Sequence, residues 1–175
     1  AAYSLEWEDV PSSSPDSARK GPIPIVVGVT GHLDLDLRAA GAEQALADAV
    51  RGILREIQKN APHSPMLILS GLAEGADRFV STLAMREFDA RIVGVLPLPQ
   101  DLYEDDFPDS VEEFRSLLGA RARVEMPFIG GSTRDDVKVH GNRRDAQYAE
   151  AGAYIVRQSQ VLIALWDGGK GGEGG

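Results

Sequence analysis

Apolar positions along the chain fall into two alternating kinds of segment. Predominantly apolar runs at Ile23 to Val29, Met66 to Leu69, Arg91 to Pro97 and Val161 to Trp166 leave no polar face, as expected of strands covered on both sides. Between them lie stretches with a helical period. Ala42, Leu46, Ala49, Val50, Ile53, Leu54 and Ile57 recur at three- and four-residue spacing, which predicts a helix over about 40–59 that Asn60 and Pro62 end. Further helices are predicted over about 73–88, 110–118 and 145–158. Strands alternating with helices imply an α/β fold of Rossmann-like type: a mostly parallel central sheet flanked by helices in a three-layer sandwich, with right-handed crossovers.

Two segments stand outside this alternation. Residues 1–21, with Pro11, Ser12, Ser13, Ser14 and Pro15 and no sustained apolar period, read as a tail or linker before one domain over 22–175. Gln100 to Asn142 is rich in Asp, Pro and Gly and is longer than an ordinary connection; loops of that length often cover a site.

Composition narrows the reading. A chain of 175 residues that is 43% hydrophobic suits one packed domain. The absence of cysteine excludes a disulfide framework, a thiolate metal site and a cysteine nucleophile. No stretch approaches the roughly 20 consecutive apolar residues of a membrane span, and no basic-then-apolar leader opens the chain, so a soluble cytoplasmic protein without a membrane partner is expected. Twenty-seven acidic residues against eighteen basic ones, net charge −9, weigh against nucleic acid as a partner. A single phosphate remains compatible, because backbone N–H groups and a helix N-terminus bind it locally.

In an open parallel sheet, ligands bind beyond the carboxyl ends of the strands, and three turns there are candidates. Gly28, Thr30, Gly31 and His32 follow the first strand: the glycines permit close backbone approach to a ligand, or serve only helix packing, and Thr30 and His32 bring hydrogen-bonding side chains. Ser70-Gly71-Leu72-Ala73-Glu74-Gly75-Ala76-Asp77-Arg78 leads straight from strand to helix, so its N–H groups and the helix dipole converge where an anion would sit. Within it, Glu74 either caps the helix or accepts a ribose hydroxyl, and Asp77 reads as a structural partner of Arg78. The third turn, Asp167 to Gly175, holds six glycines including Gly172, Gly174 and Gly175; it is either a tail or a phosphate loop, and in the second case the chain reads as cut inside a motif. Arg143, Arg144 and Tyr148 at the start of the last helix offer guanidinium groups and a phenol, although arginines more often pair with carboxylates.

Other chemistries lack their residues. The acidic cluster Asp101, Glu104, Asp105, Asp106 and Asp109 lacks calcium-loop spacing, and His32, His63 and His140 form no i, i+4 pair, so no metal is expected. Neither a GxSxG elbow, a GxxxxGK[ST] P-loop, nor a GxGxxG fingerprint after the first strand is present, and no cofactor is expected.

On these residues the chain resembles the SLOG superfamily, a Rossmann-like group that includes the Lonely Guy phosphoribohydrolases, the DNA-processing protein A family and nucleotide-sensing domains. Ser70-Gly71-Leu72-Ala73-Glu74-Gly75-Ala76-Asp77 is similar to the SGxAxGxD turn of the DNA-processing proteins, and Gly174-Gly175 looks like the start of a GGT-type phosphate loop. The resemblance implies a phosphate or ribose subsite at Ser70, Gly71 and Gly75, a base or sugar contact at Thr30, Gly31 and His32, and a second phosphate subsite at Gly172 to Gly175. It also implies a homo-oligomer. The expectation is binding or sensing of a nucleotide or nucleotide-derived small molecule, as a regulatory part of a longer protein. The alternatives are cleavage of the N-glycosidic bond of a nucleoside monophosphate, with Glu74, Asp77 or Glu173 as the carboxylate, and an assembly module without ligand.

Overall fold

A computed structural model describes residues 23–33, 35, 40–119 and 121–166. The predicted alternation is present. Five strands, β1 (Ile25–Gly31), β2 (Met66–Ser70), β3 (Arg91–Leu96), β4 (Arg123–Glu125) and β5 (Val161–Leu165), form one sheet in the order β4-β3-β2-β1-β5. Every pairing is parallel, with Val27 opposite Ile68 on one side of β1 and Gly28 opposite Leu162 on the other. The helices are α1 (Ala42–Asn60), α2 (Ala76–Phe88), α3 (Gln100–Tyr103), α4 (Val111–Leu118) and α5 (Asn142–Gln158).

Alternation along the strands divides the core into two. Val27, Val29, Ile68, Ile92 and Ile163 face one way and pack with Val50 and Leu54 of α1, Val80 and Ala84 of α2, and Phe114 and Leu118 of α4. Leu69, Val93 and Val95 face the other way and are covered by Ala151 and Ile155 of α5 together with Met126. The sandwich therefore has three layers, with α5 as the main cover of its second face. Gly28 sets how closely that cover fits, since a Cβ there would stand 2.8 Å from Ile155 Cγ2.

The long excursion between β3 and α5 differs from its prediction as one loop with a single short helix. It contains α3, two single 3-10 turns, α4 and the edge strand β4. Within it Tyr103 meets Phe107 and Phe114 edge-on, and those two rings are tilted at 52°, all at centroid separations of 5.0 to 5.6 Å. Two buried polar residues of α5 fasten it. The Gln147 amide, fully buried, donates to Pro97 O at 3.0 Å and Pro127 O at 3.2 Å and accepts from Ile129 N–H at 2.8 Å, so its buried polar atoms are matched. Arg144, 2% exposed, donates to Val137 O at 2.6 Å and Leu102 O at 3.2 Å and pairs with Asp106 at 2.5 Å.

Removing Arg144 would leave the half-buried Asp106 carboxylate without its guanidinium and two carbonyls without a donor. Arg144→Ala should lower the unfolding free energy by about 3 to 5 kcal/mol in denaturant titration. Arg144→Lys should recover only part of it, because an ammonium cannot reproduce the fork of donors.

Candidate functional site

The strand order reverses at β1. From β1 the chain winds outward through β2, β3 and β4, then returns to lay β5 on the other side of β1. Such a reversal opens a crevice at the carboxyl end of the sheet, where ligands bind in open α/β folds. A groove of about 680 Å³ lies there, lined by Thr30 of β1 and by Asn142, Asp145, Ala146, Tyr148, Ala149, Gly152 and Ala153 of α5. The helical residues share one stripe, at three- and four-residue spacing, with small side chains along its second half.

Backbone contacts build the end of β1. His32 N–H donates to Leu165 O at 3.1 Å, and Ala76 N–H donates to His32 O at 3.1 Å, joining β1 to β5 and to the start of α2. Gly31 allows this crowding: a Cβ on it would stand 2.6 Å from Ala76 Cβ. Gly75 is needed twice over. Its φ of 73° lies in the left-handed region, and a Cβ there would collide with the carbonyl oxygens of His32 and Leu33. These three glycines, Gly28 included, thus have packing duties, and a bulky Gly75 variant reports on folding before it reports on any ligand.

The Ser70 turn is occupied by its own protein. Asp77, buried in the first turn of α2, directs its carboxylate back at the turn, where Ala73 N–H reaches it at 3.4 Å and the Ser70 hydroxyl and the N–H groups of Gly71 and Leu72 also bear on it. Ser70 Oγ in turn accepts from Leu72 N–H at 3.0 Å, and the Tyr103 hydroxyl donates to Gly71 O at 3.0 Å. Burial outweighs these donors and pushes the Asp77 carboxyl up to about 6; the same burial, reinforced by Asp77, raises the Tyr103 phenol. Asp77 is no partner of Arg78. That guanidinium instead donates to Leu72 O at 3.0 Å, pairs with Glu113 at 2.9 Å and lies 4.7 Å over the Phe107 ring. Glu74 is exposed and accepts from the Ser110 hydroxyl.

The predicted site residues are therefore split. Thr30 and Tyr148 line the groove, whereas His32, just after β1, is not among its lining residues. Arg144 is committed to the excursion, and the Tyr148 hydroxyl donates to Asp106. Arg143 is 56% exposed and pairs with Asp136 at 3.2 Å. Asp167, Gly172, Gly174 and Gly175 lie outside the described residues, as do Glu173 and the tail predicted over 1–21. Asn142 and Asp145 were not singled out from sequence as ligand contacts. Polar residues in a helical first turn look like ordinary solvated positions until the fold sets them beside Thr30. Among the described residues no helix is long and apolar enough to cross a membrane.

Because the folded state holds a proton on Asp77 more tightly than the unfolded chain does, the stabilisation linked to that proton is complete at about pH 4 and is lost as pH rises through about 6. Compared with Asp77→Asn, the native protein should lose about 3 kcal/mol of stability across that window. Parallel unfolding curves for the two proteins would show the linkage to lie elsewhere. The chain matches no protein-family model and no curated protein sequence.

Proposed function

We propose that the chain binds a nucleotide or nucleotide-derived small molecule in the groove between β1 and α5. The observation that carries this reading is the position of the groove, at the carboxyl end of a parallel sheet where the strand order reverses. Its shape agrees. From Asn142 to Ala153 the lining spans about 16 Å of helix at 1.5 Å per residue, long enough for a nucleoside with phosphate attached.

The start of α5 suits the anionic end. Its N-cap is Gly141, which has no side chain to satisfy the first-turn N–H groups, and the helix runs for 17 residues. Those N–H groups and the positive end of the dipole favour a phosphate held outside the helix end, away from the Asp145 carboxylate of the same turn, with Arg143 able to exchange Asp136 for it at the surface. The remainder of the ligand then lies along Ala149 and Gly152 toward Thr30. Neither carboxylate of the Ser70 turn favours glycosidic cleavage here: Asp77 faces its own turn and Glu74 is joined to Ser110.

Gly152 provides a test that leaves the fold alone. A Cβ on this helical residue meets nothing within 4 Å, and replacing glycine in a helix favours the helix, by about 1 kcal/mol for alanine and less for phenylalanine. Gly152→Phe should fill the groove and keep or raise the thermal midpoint. In the native protein at least one member of a panel of mono-, di-, cyclic and ADP-ribose-type nucleotides should raise that midpoint, and Gly152→Phe should abolish the rise. A nucleotide-induced rise that survives Gly152→Phe would place the ligand elsewhere.

A further inference from the structure

The ionisable side chains around the start of α5 are matched with one another, with one exception. Arg144 pairs with Asp106, Arg143 with Asp136, and Glu150 with Arg157. Asp145, in the first turn of α5 and partly buried, lines the groove without a hydrogen-bonding or ionic partner among the described residues. The Thr30 hydroxyl and the Asn142 amide line it with their hydrogen-bonding capacity likewise unused among those residues. Three polar side chains of known valence thus converge on one concave surface. No lysine or arginine joins them among the described lining residues.

That valence describes the ligand. A carboxylate accepts hydrogen bonds and donates none, so whatever lies against Asp145 presents donors. A phosphate in the same place would meet like charge in a partly desolvated groove. Thr30 and Asn142 each donate and accept, and suit hydroxyl oxygens or the edge of a base. Asp145 lies three residues from Asn142, about 4.5 Å along the axis, so it falls one step inward from the uncapped helix end.

We infer that Asp145 is a specificity-determining residue that accepts both hydroxyls of a ribose-type vicinal diol, so that the groove selects ribonucleotides over their 2′-deoxy counterparts. The inference rests on the nucleotide reading above and extends it from ligand class to the sugar. A carboxylate with two oxygens spans two adjacent hydroxyls; losing one hydroxyl leaves one of its oxygens without a donor in a site closed by the ligand. Asp145 acts by direct contact, whereas Tyr148, whose hydroxyl is engaged by Asp106, contributes its ring to the wall.

The experiment is calorimetric titration of the full chain with AMP, GMP, CMP and UMP and with the 2′-deoxy form of each. The ribonucleotide that binds most tightly should bind about tenfold or more tightly than its deoxy form, the scale of a hydrogen bond to a charged group. Asp145→Ala and the isosteric Asp145→Asn should both fold with the native thermal midpoint. Asp145→Ala should bring the two affinities within about twofold by weakening the ribonucleotide alone. Equal binding of the two sugars by the native protein, or a preference that survives Asp145→Ala, would overturn the role of Asp145 while leaving nucleotide binding intact. Failure of all eight nucleotides to bind would overturn this assignment, and the nucleotide reading falls with it only if the di-, cyclic and ADP-ribose-type nucleotides also leave the thermal midpoint unchanged.

Discussion

Where β1 ends, three elements meet through two backbone hydrogen bonds, His32 N–H to Leu165 O and Ala76 N–H to His32 O. The rest of the molecule depends on that junction. It fixes β5 beside β1, which creates the reversal in strand order. It also brings α2 so close that side chains must be absent or small at Gly31, Gly75 and Ala76. On the opposite face Gly28 lets Ile155 settle onto the sheet, which sets the height of α5 and hence the depth of the groove beside Thr30. Glycine here shapes the groove indirectly, by letting elements approach.

Polar residues divide into those spent on the fold and those left over. Arg78, Arg144, Gln147 and Asp77 are buried, and each has partners assigned by the surrounding backbone: carbonyls for the first three, turn N–H groups and a hydroxyl for the last. A buried polar group without such partners costs free energy, so these commitments are close to obligatory. The excursion from Pro97 to Gly141 is held in place this way, by α5 side chains gripping its two ends and its middle, and by the aromatic cluster beneath Arg78. Of the described groove-lining residues, Thr30, Asn142 and Asp145 keep polar side chains without a partner among the described residues.

Much of the architecture was legible because period and burial are tied. Unbroken apolar runs marked β1, β2, β3 and β5, although in β5 only Ile163 is buried and Leu162 is 43% exposed, and three- and four-residue spacing marked α1, α2, α4 and α5. Strand β4 escaped because Arg123, Val124 and Glu125 are too few and too polar to form a run; pairing with β3 makes them a strand. Four-residue α3 carries no period at all. At the site, the glycine turns were visible as sequence but their duties were not, because a glycine that admits a ligand and one that admits a neighbouring helix read alike. Arg144 looked like a phosphate contact, and only its 2% exposure reveals the carbonyls it serves. Asp145 carried no signal, since only the fold shows its side chain without a partner among the described residues.

The most direct test of the central claim, that ligand binds between β1 and α5 and not in the Ser70 turn, is an amide-resolved NMR titration of the full chain with the ribonucleotide that stabilises it most. The account predicts shifts concentrated at Thr30, Asn142, Arg143, Asp145 and Gly152, with the amides of Gly71, Leu72 and Ala73 unmoved because Asp77 already holds them. Shifts concentrated at Gly71 to Gly75, with α5 silent, would contradict it.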